Sequence, residues 1–246
     1  MNKLIVLWLI CSFSAGVFAK DFAEDKQERL IANLLNQQVK QQISLKNSIS
    51  SILTNYPEQV DIVLQVALDE YPSQYKAIML GAMEAEPVLA CEVIEIVLNA
   101  KVANASEIVS IAVEAEPAYA QEIVSAAALN SPADLEDFVR IAILTEPVVS
   151  QAVVTNAATS FPDQILSVLL GAIKAVPEKV SMFVKDTIAL FPTDSEAIVT
   201  HAVNSSDEKH TSTIVNTAIQ AGLDEQAAIN AAIAGGAKAE ELAQNQ

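Results

Sequence analysis

The chain has little with which to do chemistry. Its 246 residues include two cysteines, two histidines and six glycines, and aromatic side chains make up only 5%. That leaves almost nothing from which to build a metal or nucleophile site. There is no phosphate-cradling glycine loop, no nucleophile elbow and no Asp/Gly-rich calcium loop. Positive charge is scarce as well. Fourteen Lys and Arg stand against 31 Asp and Glu, a formal charge of −17, which argues against nucleic acid or anionic lipid as the main partner. A chain that is 52% hydrophobic and 18% charged is nevertheless too apolar for a disordered tail. The composition predicts a folded protein that is not an enzyme and uses no cofactor or metal.

The first residues read as an export signal. Lys3 gives a positive n-region, Leu4 to Phe13 is apolar apart from Ser12, and Val17-Phe18-Ala19 supplies small residues for cleavage after Ala19. The stretch from Leu4 to Ala19 falls short of the roughly 20 residues a membrane span needs. Cys11 follows Leu9-Ile10 rather than the Gly, Ala or Ser of a lipobox, which argues against a lipid anchor. A signal peptide over 1–19, a periplasmic or extracellular destination and no membrane span after cleavage are therefore expected. Cys91 then remains alone, either as a free thiol or as a link between chains.

Proline organises the rest. Pro57, Pro72, Pro87, Pro117, Pro132, Pro147, Pro162, Pro177 and Pro192 share one register of fifteen, with Val102 at the single gap. Seven residues after each register position stand Leu64, Met79, Ile94, Val109, Val124, Val139, Val154, Leu169, Val184, Val199, Ile214 and Ile229. Positions three, six, ten and eleven are also mainly apolar or small, which marks one stripe of an α-helix. Proline suits the first helical position, where its fixed φ helps and its missing N–H has no partner. Each block then holds about twelve helical residues and a tight turn, so successive helices run antiparallel. Ala82, Ala112, Ala142, Ala172, Ala202 and Ala232 recur every thirty residues, whereas the alternate blocks place Ala67, Val97, Ala127, Ala157, Thr187 and Thr217 there. The unit is thus a thirty-residue hairpin of two distinct helices.

Such repeats bury their faces only by stacking. The expected fold is all-α, an α-solenoid of antiparallel hairpins over 42–236, with 15 residues per helix and 30 per hairpin. Residues 20–41, whose Leu30, Ile31, Leu34, Leu35 and Val39 follow a different phase, are expected to form an N-terminal capping helix, and 237–246 a short tail. In this architecture, over most of its length, the chain resembles HEAT-like α-solenoids, and Asp137-Phe138-Val139-Arg140-Ile141-Ala142 looks like the start of one such helix. Only that block carries the arginine, and the thirty-residue unit is shorter than the usual HEAT repeat. The resemblance implies binding of other macromolecules on an extended surface.

Two groups of residues are candidates for such a surface. Glu84, Glu86, Glu114, Glu116 and Glu146 recur near equivalent turns and form either a docking edge for a cationic partner or a solvated edge that keeps an alanine-rich protein soluble. They lie in the acidic half, since Pro57 to Glu146 holds sixteen acidic and three basic residues, and Pro147 to Gly236 nine and four. The ninth position of the block reads Val66, Gly81, Ile96, Ile111, Ala126 and Ile141, then turns polar with Asn156, Asp186 and Asn216 on one helix type. These three either line a groove or belong to a flank that is simply more exposed. His201 and His210 lack any partner at zinc-ligand spacing. The expectation is an exported, non-catalytic binding or scaffold protein for a protein or peptide partner. A structural envelope or matrix protein that associates with itself is the alternative.

Overall fold

The computed structural model describes residues 26–239, and no strand occurs among them. The leader at 1–19 and the tail residues 240–246 lie outside the described residues. Helix α1 spans 26–40. It is followed by α2 (Leu45–Asn55), α3 (Val60–Glu70), α4 (Tyr75–Ala85) and α5 (Ala90–Ala100), then α6 (Ala105–Ala115), α7 (Ala120–Asn130), α8 (Leu135–Thr145) and α9 (Ser150–Ser160). The array ends with α10 (Ile165–Ala175), α11 (Val180–Leu190), α12 (Ser195–Asn204), α13 (Thr211–Gln220) and α14 (Glu225–Ala234). The fold is an all-α repeat solenoid of antiparallel hairpins.

The prolines do not open the α-helices themselves. After α3, the Tyr71 N–H closes the helix on the Ala67 carbonyl at 2.9 Å while its own φ of −134° leaves the helical region. A residue before proline is pushed out of the helical basin by the ring, so the helix stops there. Pro72 then starts a three-residue 3-10 turn, closed by the Gln74 N–H on the Tyr71 carbonyl at 2.9 Å, and α4 begins at Tyr75. The same construction recurs at every proline of the array. It trims the α-helices to eleven residues and places proline where its absent N–H costs nothing.

Four connections have no proline; the one between α12 and α13 keeps a 3-10 turn at Glu208–His210, and the other three are built differently. Gln42, Lys101 and Gly222 adopt left-handed φ values of 63°, 53° and 105°. Each helix that follows has a polar N-cap. Ser44 Oγ accepts from the Asn47 N–H at 3.2 Å, Asn104 Oδ1 from the Glu107 N–H at 3.0 Å, and Asp224 Oδ1 from the Gln226 and Ala227 N–H groups. A side-chain oxygen thus does for the first turn what proline does elsewhere. The gap at Val102 is one of these places, and there the chain divides into two compact units, one ending at Val102 and the other starting at Ala103.

Within each unit a helix packs on the next and on the next but one. α2 meets α4 and α3 meets α5 in the first unit, and the same pattern runs from α6·α8 to α12·α14 in the second. The residues at the seventh position from Leu64 to Ile214 are buried, as are the six alanines spaced by thirty. Two very close approaches occur one residue earlier, at glycine. A Cβ on Gly81 of α4 would lie 2.5 Å from the Lys46 carbonyl oxygen of α2, and one on Gly171 of α10 would strike the Glu136 carbonyl of α8. No real side chain tolerates that distance, so glycine sets the spacing of these two pairs. Each contact is flanked by an ion pair of opposite orientation. Lys46 meets Glu84 at 2.8 Å, whereas Glu136 meets Lys174 at 2.5 Å.

Candidate binding surfaces

The glutamates of the predicted edge occupy equivalent turns but not equivalent environments. In the first unit Glu84 and Glu86 are exposed at the end of α4, and Glu84 is held by Lys46. In the second unit Glu114 is exposed at the end of α6, while Glu116 and Glu146 are half-buried where α6 and α8 end. Glu146 turns its Oε1 back toward the Val148 N–H at 3.4 Å, beside the start of the next helix, where negative charge suits the helix dipole. One of these carboxylates is thus engaged by a lysine and another by its own turn.

The polar flank also divides. Asn156 of α9 accepts a 2.8 Å hydrogen bond from Ser125 Oγ of α7, and Asp186 of α11 accepts one of 2.9 Å from Gln151 Nε2 of α9. Both residues tie neighbouring helices together. Asn216 on α13 is exposed, Thr217 bonds back to the Thr213 carbonyl at 2.7 Å, and Thr187 is buried with no partner for its hydroxyl. His201 is exposed, His210 is half-buried, and Arg140 pairs with Asp137 at 2.7 Å. Cys91 is half-buried. Of the aromatic residues before the prolines, Tyr56 stands exposed, while the Tyr71 hydroxyl donates to Asn36 Oδ1 of α1 at 2.7 Å.

One depression in the first unit was not among the predicted sites. It is a groove of about 680 Å³ between α3 and α5. Asp61, Gln65, Leu68 and Asp69 follow helical spacing along one face of α3, and Glu92, Glu95, Ile96 and Asn99 along one face of α5. Four carboxylates therefore look into the groove, and no lysine or arginine is among its lining residues. The Glu92 carboxyl is held above the ordinary range, first by burial and then by the charges of Asp61 and Glu95.

Two residue choices deprive the groove of a cross-helix hydrogen bond present elsewhere in the array. In the second unit Gln151 donates to Asp186 across the equivalent pair of helices, α9 and α11. Ninety residues earlier in the register those two places hold Asp61 and Ile96. An ionised carboxylate has no proton to donate and an isoleucine nothing to accept with, so no bridge forms. Sequence spacing carried the signal, in acidic residues recurring on two helices of the same type, but only the pairing of α3 with α5 brings them to one depression. Among the described residues no three His, Cys, Asp or Glu side chains are placed to hold a metal ion, and no helix is long and apolar enough to cross a membrane.

No family model, curated protein or solved structure matches the chain.

Proposed function

We propose that the chain is an exported, non-catalytic binding protein whose first unit receives a cationic segment of a protein or peptide partner between α3 and α5. The observation that carries this reading is the concentration of Asp61, Asp69, Glu92 and Glu95 around one groove with no internal counter-charge among its lining residues. Burial, and after it the neighbouring charges of Asp61 and Glu95, makes the Glu92 carboxyl hold its proton more tightly than usual. A lysine or arginine entering between these carboxylates relieves their mutual repulsion and returns the favourable energy as affinity. The floor contributes Leu68 and Ile96 for the aliphatic stem of such a side chain. The surplus of acid over base across the chain steers a cationic partner toward this surface before contact. Export follows from the leader read at 1–19, with the periplasm or the exterior as the place of action.

The test is a titration of a fluorescent lysine-rich peptide against the protein over a sodium chloride series. The triple variant Asp61→Asn, Glu92→Gln, Glu95→Gln should bind more weakly and with a flatter salt dependence. Neutralising three exposed carboxylates of the second unit, Asp163, Glu178 and Asp194, should leave both properties unchanged. Equal losses from the two triple variants would mean that only net charge matters, and the groove would then have no special role.

A further inference from the structure

A stack of repeats must end in a face that water tolerates, or in a face that something covers. The last helix with described bounds, α14, does not meet the first condition. Its sequence, Glu-Gln-Ala-Ala-Ile-Asn-Ala-Ala-Ile-Ala, places Ile229 at the seventh register position and Ile233 at the eleventh. In every helix from α3 to α13 the residues at these two positions are buried, from Leu64 and Leu68 to Ile214 and Ala218. In α14 Ile229 is only half-buried and Ile233 is 42% exposed. This helix therefore carries an interior pattern at the end of the described stack.

The other terminal helix supplies a matching surface. α1 turns Ile31 and Leu35 inward and is tied to the first hairpin by Asn36 and Tyr71. The adjacent stripe, about 100° round the helix, carries Leu30, 68% exposed, and Leu34, 38% exposed, one helical turn apart. The charges are complementary too. Residues 26–40 contain Lys26, Arg29 and Lys40 against Glu28 alone, in a chain that is otherwise strongly acidic. Residues 211–234 contain Asp224 and Glu225 and no lysine or arginine. An odd helix of the array packs on the preceding even helix and on the odd helix before that, as α9 does on α8 and α7. The place beyond α14 is that of an odd helix, and α1, odd by chain order, is tied to Tyr71 just after the odd helix α3.

We propose that the uncovered α13–α14 end takes the outward face of α1 from a second copy, so that copies associate head to tail. The interface is heterologous: each copy offers one end and accepts the other. It uses residues outside the acidic groove, so it stands or falls independently of peptide binding.

Sedimentation velocity over a concentration series tests the proposal, with Leu30→Lys blocking one end and Ile233→Lys the other. The unmodified protein should form species larger than a dimer as concentration rises. Each variant alone should stay monomeric, because every contact needs both ends intact. An equimolar mixture of the two should form a dimer and stop there, since one variant keeps a working α14 and the other a working α1. Both substitutions are at exposed positions, and matching helicity and melting temperature would show that the fold is kept. An unmodified protein that stays monomeric at all concentrations would overturn the proposal, with the chain's own residues 240–246 or solvent covering α14. Association that survives Leu30→Lys but not Ile233→Lys would overturn it as well, because two α14 faces would then pair with each other.

Discussion

The α3–α5 surface of the first unit and the α9–α11 surface of the second are built from the same register positions and differ in what those positions can exchange. Gln151 and Asp186 form a donor and an acceptor and bridge their surface with an exposed hydrogen bond of 2.9 Å. Asp61 and Ile96 form neither, and their surface remains an acidic depression. The backbone repeat is indifferent to this choice, since the buried layers at the sixth, seventh and tenth positions are filled alike on both sides. Packing in a solenoid is carried by one face of each helix, so the other face is free to be bridged or left receptive.

The strongest test of the likeness between units is at the glycine contacts. Gly81→Ala and Gly171→Ala should each force a helix pair apart and cost about 1 to 3 kcal/mol, the usual range for overpacking a close contact. Urea denaturation should show the loss in the unit that carries the change. A large cost at one site and none at the other would mean that the two contacts are not the same device.

A smaller effect should follow from copying the bridge. Asp61→Gln together with Ile96→Asp reproduces the α9–α11 pair on α3 and α5, and the added hydrogen bond should stabilise the first unit by about 0.5 to 1.5 kcal/mol. The same double variant should lose affinity for a lysine-rich peptide, measured by anisotropy. If the peptide binds as before, an open groove is not what it recognises.

Glu92→Gln should have the smallest effect, with a sign that depends on pH. The folded protein holds the Glu92 proton more tightly than the unfolded chain does, because burial and the neighbouring Asp61 and Glu95 disfavour its charge. The stability linked to this group is therefore present in acid and is lost as pH rises through its folded pKa. Replacing it by glutamine should raise the melting temperature at neutral pH and leave it nearly unchanged below the carboxylate range. A lower melting temperature at neutral pH would mean that the ionised carboxylate is stabilising where it stands.

Most of the architecture was legible because it depends on local chemistry. A proline every fifteen residues and aliphatic residues such as Val139 and Val184 seven places later fix helix, turn and inward face without reference to distant parts of the chain. The turn itself was legible only in outline, since the 3-10 segment that separates Pro72 from Tyr75 depends on hydrogen bonds that spacing does not display. The surfaces were less legible for the same reason. Glu84 looked like part of a docking edge, but it is paired with Lys46, 38 residues away. Asn156 looked like a groove residue, but its amide oxygen is occupied by Ser125. Which polar side chains meet depends on how successive helices are staggered, and that is a tertiary property.

The two reversed ion pairs beside the glycines bear on how such a chain avoids confusing its own repeats. α4 and α10 are similar enough in sequence, each with a Leu-Gly-Ala core at the contact, that either can be offered to α2 or to α8 while the chain is still searching. Exchanged partners would bring Lys46 against Lys174 and Glu136 against Glu84, like charge on like charge in both cases. At a solvent-exposed site each native pair adds little to the finished fold, but the reversal makes the swapped arrangement repulsive at both contacts at once. A repetitive protein is prone to misassembly between equivalent segments. Here four side chains mark which copy of the repeat belongs to which neighbour.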